Sequence, residues 1–269
     1  MIRLVTNHNP DPSTWFTSSL IDDIGPINTS VGRLQDRTNK KLWVFFGEGR
    51  YFYPLDDVNH TRRFYGVADP CYKQYEDTTS SYSQYAGDSY LNYAMGTDAS
   101  KCAAVTGPGI TDSYTADVAS IDLQRQDTPS TTLTAGKKGW YVNMAPASGN
   151  SGAERVVSDV SATFNGNVFF TTYIPTMDPC TPGGSTSMWA VKYNTGGTPA
   201  SDSLKGKAPV QTSSGGITMI DLATAFTQPG SSGRKLNASL SPVGMTPKGR
   251  FPPLLQPKAI KQILNTQEQ

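Results

Sequence analysis

An all-β fold is predicted: an array of short antiparallel strands with a long loop insertion and an irregular C-terminal tail. Three observations predict it. Short runs rich in Val, Ile, Thr and aromatic residues recur along the chain, separated by Gly, Asn and Pro at intervals of about ten residues. The 25 Gly and 19 Pro exceed the ~12% share that ordinary domains give these two residues. With 10 Phe, 13 Tyr and 4 Trp available for a packed core, that surplus marks turns and not disorder. Finally, no convincing amphipathic helix precedes residues 257–267 (PKAIKQILNTQ).

Residues 1–23 read as irregular, with a Pro-rich entry. The first strong segment is 24–53: strand-like IGPINTSVGRL, a turn at QDRTNKK, then LWVFFGEGRYFY, in which Leu42–Phe46 is a continuous apolar run and RYFY is the expected return strand of a hairpin. RFYGV (63–67) is another strand. Residues 69–116 are polar and Tyr-rich and too long for an ordinary connection, so they read as a loop insertion with a short helix near 88–95. Its exposed Tyr and Ser would suit adaptable contacts, although a loop without a binding role is the simpler reading.

Further strands are expected at DVASIDL (117–123), GWYVNM (139–144), ERVVSDVSAT (154–163), NVFFTTYI (167–174) and SMWAVKY (187–193). The Asn165–Gly166 pair between two of them is the best short hairpin signal in the chain. After residue 194 the chain is Gly/Ser/Pro-rich, with one more strand pair around GGITMIDL (215–222) and an extended strap at KGRFPPLLQPK (248–258).

Composition excludes several function classes. Net charge is +1 and no basic stripe stands out, which argues against nucleic acid. Lys248, Arg250, Lys258 and Lys261 make the most basic stretch, read as a solvated tail. No apolar run approaches the ~20 residues of a membrane helix, and the N-terminus turns polar after Val5, so no secretory signal is seen in this chain.

Cys71, Cys102 and Cys180 match no CxxC or zinc spacing. Cys71 and Cys102 flank the polar loop and are the preferred disulfide pair, leaving Cys180 over in its turn-rich segment. Three reduced thiols in a cytosolic protein is the alternative.

Chemistry is sparse. Only His8 and His60 exist, and neither sits in a strand-end cluster from which a catalytic triad would draw. Asp22/Asp23, Asp56/Asp57 and Glu76/Asp77 are adjacent pairs in turns, where Asp bonds nearby amides, and not a spaced glycosidase pair. Glu154–Arg155 reads as a structural pair or backbone anchor. GEG (47–49) lacks the spacing and following helix of a phosphate loop. The chain is therefore expected not to be an enzyme, with no catalytic residue, metal or cofactor assigned.

Two segments are more specific than strand-and-turn. In the first, Phe46, Gly47, Gly49, Arg50 and Tyr51 form an aromatic-Gly-x-Gly-Arg-Tyr strand and turn. In the second run Trp140, then Glu154, Arg155 and Val156, then Phe169, Phe170, Thr171 and Thr172, then Pro175, Asp178 and Cys180, and last Ala190, Thr195 and Gly196. In this order they resemble the C-terminal β-propeller region of the type IV pilus tip-associated adhesin and biogenesis family, over about residues 24–196. Glu48 stands where that family carries Thr, and Ala153 separates Gly152 from Glu154. The family's acidic calcium loop has no counterpart here, so calcium is not carried over. The family's upstream adhesive half is also absent.

The resemblance implies a partial β-propeller-like array over 24–196, carrying the insertion at about 69–116, with an N-terminal segment 1–23 and a C-terminal strap 197–269. A blade takes four strands and ~40–45 residues, and closed propellers use ~4–8 blades. About three or four blades are expected here. An open arc exposes sheet edges, so the chain is expected to complete its fold with a partner polypeptide.

The implied function is a non-catalytic component of a type IV pilus tip complex, supporting pilus assembly and surface adhesion at an extracellular or cell-surface location. Its partners would be an upstream adhesin-like polypeptide and minor pilins, with a host or abiotic surface beyond them. The alternative is a secreted carbohydrate-binding or glycosidase β domain. A quinoprotein-type propeller is a third reading, resting on the single WAVKYNTGG piece.

Overall fold

The computed structural model describes residues 1–5, 11–50, 61–76, 93–97, 118–128, 132–176, 184–204, 207–212, 217–227, 233–237 and 242–245. They are mostly β. The strands are β1 (Ile2–Val5), β2 (Phe16–Ser19), β3 (Gly32–Asp36), β4 (Lys41–Gly47), β5 (Arg63–Ala68), β6 (Tyr72–Glu76), β7 (Tyr93–Thr97), β8 (Leu123–Arg125), β9 (Gly139–Asn143), β10 (Arg155–Val156), β11 (Ser161–Ala162), β12 (Asn167–Pro175), β13 (Gly184–Lys192), β14 (Lys207–Thr212), β15 (Ile217–Asp221), β16 (Lys235–Asn237) and β17 (Pro242–Met245). One short helix, α1 (Leu222–Thr227), joins them.

Two five-stranded sheets form the body. The first has the order β3-β4-β5-β9-β8, antiparallel except for β8, which runs parallel to β9. The second has the order β10-β12-β13-β16, with β11 also paired to β12, antiparallel throughout. Smaller sheets are β1-β2, β6-β7 and β15-β14-β17. Among the described residues these sheets lie open.

Alternation along the strands sets the layers. In β4, Trp43 and Phe45 face one way, and Val44 and Phe46 the other. Trp43 and Phe45 join Phe64, Trp140 and Val142 against Val168, Phe170, Trp189 and Val191 of the second sheet. Val44 and Phe46, with Tyr65 and Val67, are covered by Leu20, Ile21, Val118 and Leu123. The far face of the second sheet presents Phe169, Met188 and Ala190 to Leu204, Leu222, Ala225 and Phe226. The central strands are buried on both faces, which is why β4, β12 and β13 carry continuous apolar runs where a one-sided strand would alternate.

A ladder of rings crosses the interface. Trp140 lies 6.0 Å from Phe64, Phe64 stacks on Phe170 at 3.7 Å, and Phe170 stacks on Trp189 at 5.6 Å. The Trp140 indole fits because its neighbours have no side chain. A Cβ on Gly66 would come within 2.4 Å of the indole, and one on Gly196 (φ +69°) within 2.3 Å. The indole Nε1 donates to the Tyr193 carbonyl at 2.9 Å, and the Tyr193 hydroxyl donates to Asp36 at 2.7 Å. Burial and the Asp36 carboxylate push the Tyr193 hydroxyl up to about 12.

Several sequence expectations are corrected. Within 1–23 the described residues are not simply irregular: β1 and β2 pair in register, and Leu20 and Ile21 enter the core. In the 24–34 segment the strand begins only at Gly32. The return partner of β4 is β5 and not RYFY, of which Tyr51–Tyr53 lie outside the described residues; at the turn, Glu48 N donates to the Arg63 carbonyl at 2.9 Å. Residues 117–123 contribute a 3-10 turn at Ser120–Asp122, held by the Asp122 carboxylate on Ala119 N at 3.1 Å, ahead of the short β8.

Residues 154–163 form two short strands. Ser158 Oγ takes the Thr171 amide at 2.7 Å and interrupts the ladder between them. Inside the 69–116 insertion β6 and β7 pair, so 93–95 of the helix expected near 88–95 are strand, while 88–92 lie outside the described residues. The 197–269 strap supplies α1, β14, β15 and β17, and β16 completes the second sheet. Its PKAIKQILNTQ and KGRFPPLLQPK segments lie outside the described residues. No helix among the described residues is long and apolar enough to cross a membrane.

Gly66→Ala is expected to cost ~1–3 kcal/mol by overpacking against Trp140. Gly196→Ala adds ~1–3 kcal/mol of backbone strain to the same clash. Gly149→Ala, with φ +56° and nothing within 4 Å, isolates the backbone term. Urea unfolding of the three variants followed by circular dichroism checks the order.

Candidate functional site

The two segments of the family resemblance meet at the junction of the large sheets. Gly47 and Gly49 lie against β10: a Cβ on Gly47 would sit 2.2 Å from Val156, and one on Gly49 2.6 Å from Arg155 Cβ. Val156 N donates to the Glu48 carbonyl at 3.0 Å, and Arg155 Nη1 donates to the Arg50 carbonyl at 2.8 Å. Glu48, buried between them, accepts from Gly25 N at 2.8 Å, Arg63 N at 2.9 Å and the Tyr65 hydroxyl at 2.8 Å. Burial, then the Glu48 charge, raises the Tyr65 hydroxyl above its ordinary value. Tyr51, Cys102 and Cys180 lie outside the described residues, as do His8, His60, Asp56 and Asp57.

Glu154 is 1% exposed and ties four elements together. Its carboxylate accepts from Ala145 N at 3.1 Å, after β9, and from Thr172 Oγ1 on β12. Trp189 Nε1 on β13 donates at 3.3 Å, and Lys235 Nζ on β16 lies at 2.8 Å. The Lys235 ammonium also sits 5.4 Å from the Trp189 ring centroid. The ion pair of Glu154 is thus with Lys235. Its sequence neighbour Arg155 anchors backbone carbonyls, those of Ala153 and Arg50.

These groups border an open cleft of about 480 Å³ lined by Arg125, Asp127, Asn143, Trp189, Arg234 and Lys235, with Glu154 in its wall. The Asp127 carboxylate accepts from Arg125 and, at 3.0 Å each, from the backbone and side-chain nitrogens of Asn143. Burial opposes its charge, but these donors outweigh it and hold the carboxyl below its ordinary value. Arg234, 3% exposed, donates to the carbonyls of Gln126, of Gly196 at 3.1 Å and of Asp127 at 2.6 Å, which joins the two sheets. Burial lowers its pKa. Sequence reasoning missed Arg125, Asp127, Arg234 and Lys235. Their one signal is an isolated Arg-Lys doublet in a Gly/Ser-rich stretch.

Elsewhere, Cys71 is buried and disulfide-bonded, its partner lying outside the described residues. Arg3 donates to its sulfur and to Asp69 at 2.5 Å, fastening the N-terminal hairpin. Asp22 accepts from Ser19 Oγ at 3.0 Å, the local bond of a turn carboxylate. No group of three His, Cys, Asp or Glu side chains suited to a metal occurs among the described residues.

No known protein family matches the sequence, and no curated protein matches it. Among solved structures, the crystal structure of the Pseudomonas aeruginosa PilY1 C-terminal domain is similar at 15% identity and a TM-score of 0.39, covering 77% of this chain. This chain spans 43% of that chain, less than half its length.

Lys235→Met is expected to destabilise by ~3–5 kcal/mol, because it strands the Glu154 charge in the interior. Combining it with Glu154→Gln recovers most of that loss. Denaturant unfolding of the two single variants and the double variant measures the coupling.

Proposed function

We propose that this chain is a non-catalytic component of a type IV pilus tip complex at the cell surface, supporting pilus assembly and adhesion. On this reading its two large sheets are consecutive blades of a partial propeller that a partner polypeptide completes. The partners are an upstream adhesin-like polypeptide and minor pilins. One observation carries the reading. The segments that resemble the pilus tip family, about a hundred residues apart in sequence, pack on each other: Gly47, Gly49 and Arg50 on Arg155 and Val156. A motif kept for a blade-to-blade contact would behave in this way.

The state of the buried carboxylates supports a scaffold over a catalyst. Glu48 and Glu154 have their oxygens occupied by amides, hydroxyls, an indole and an ammonium. A general acid or base needs an oxygen turned to a substrate. The charged cleft favours the second reading, a secreted carbohydrate-binding domain, in its binding form; as a glycosidase that domain would need its carboxylate pair released from these bonds.

Shearing surface filaments from the source cells and probing both fractions for this chain tests the proposal. The chain is expected in the filament fraction at low stoichiometry, together with an adhesin-like polypeptide identified by mass spectrometry. Recovery solely as a free soluble monomer contradicts it.

A further inference from the structure

The cleft beside Glu154 carries a charge imbalance. Among the described residues, three cations, Arg125, Arg234 and Lys235, line it with two carboxylates, Asp127 and Glu154. Both carboxylates are occupied: Asp127 by Arg125 and Asn143, and Glu154 by Lys235, Thr172, Trp189 and Ala145 N. Among the described residues Arg234 contacts no carboxylate directly, Asp127 being the opposite charge that acts on it. Its donors go to three main-chain carbonyls, and its Nε, fully buried, has no hydrogen-bond partner among the described residues. A buried guanidinium with no carboxylate in direct contact is costly, and an anion entering the cleft would relieve it.

The mouth of the cleft supplies the recognition. Arg125 points Nε and Nη2 at Asp127, which leaves its Nη1 edge for another acceptor, and its side chain is 62% exposed. A planar guanidinium edge matches the two oxygens of a carboxylate. Behind it, Val142, Met144 and Pro146 give the cleft an apolar side. Its volume of about 480 Å³ falls within the ~300–1,000 Å³ of small-molecule sites.

We propose that this cleft binds the carboxylate of a small ligand the size of one sugar or a dipeptide, at Arg125, with Arg234 supplying the balancing charge beneath. The site stands independently of the pilus reading. Two sources offer this chemistry: an acidic sugar, and the free C-terminus of a peptide chain.

Titration of the full chain, followed by calorimetry and two-dimensional NMR, separates them. The probes are glucuronate against glucose, dialanine against its C-terminal amide, and inorganic phosphate. At least one carboxylate probe is expected to bind about tenfold more tightly than its neutral counterpart and than phosphate. Preference for glucuronate identifies an acidic glycan, and preference for dialanine a chain terminus. Arg125→Gln is expected to weaken binding about fivefold or more without moving the unfolding midpoint, since this side chain lies largely in solvent, and Arg125→Glu to abolish it. Three results overturn the proposal: no carboxylate probe binding up to about 10 mM, neutral probes or phosphate binding equally well, or Arg125→Glu binding as the parent chain does.

Discussion

The contact on which the rest of the structure depends is the seat of Trp140. A full indole is set on Gly66 of the adjacent strand and against Gly196 of the turn after β13, with its nitrogen bonded to the Tyr193 carbonyl. Two glycines and a bulky ring make one surface of normal height, and on that surface the first sheet meets the second. The stacked rings of Phe64, Phe170 and Trp189 continue the contact. The seven largest fully buried side chains among the described residues are all aromatic, in keeping with their large apolar payload. The chain is only 17% charged, so packing and not ion pairing carries the fold.

Polar groups at this junction fix geometry. A sheet apolar on both faces needs a layer on each, and Ile21 on one side and Phe226 on the other belong to those outer layers. Where chain segments enter and leave the sheets, unpaired amides and carbonyls would be buried at a cost of ~1–3 kcal/mol each. Glu48 and Arg234 answer that need, each serving backbone groups from more than one element, and Glu154 joins the Ala145 amide to side chains of three strands. Their burial is the reason two sheets with short connections behave as one body. It also leaves Arg234, among the described residues, without a carboxylate in direct contact at the edge of the cleft.

Much of the fold was legible because these strands are fully buried. The Leu42–Phe46 run, RFYGV, GWYVNM, NVFFTTYI and SMWAVKY are strands in the structure, and the turn at Asn165–Gly166 joins β11 to β12. What was not legible rests on pairing between distant segments. Ile2–Val5 becomes a strand only because Phe16–Ser19 lies beside it. Lys235–Asn237 has no strand signal of its own and is ordered by Ser187–Trp189. The split of residues 154–163 depends on one hydroxyl, Ser158, replacing a backbone partner. The candidate site was least legible, since Arg234 reaches carbonyls 107 and 108 residues away and no local pattern encodes such a meeting. Glu154 was visible as a motif residue, but its partner Lys235 was not.

With Trp140 seated in this way, the two large sheets should open as one cooperative unit. Native-state hydrogen exchange of the Trp140 indole N–H, read beside the amides of β4 and β12, tests it most directly. All three are expected to exchange with the same protection, through opening of the whole body. An indole proton that exchanges far faster than the amides, or one sheet losing protection while the other keeps it, would contradict the account.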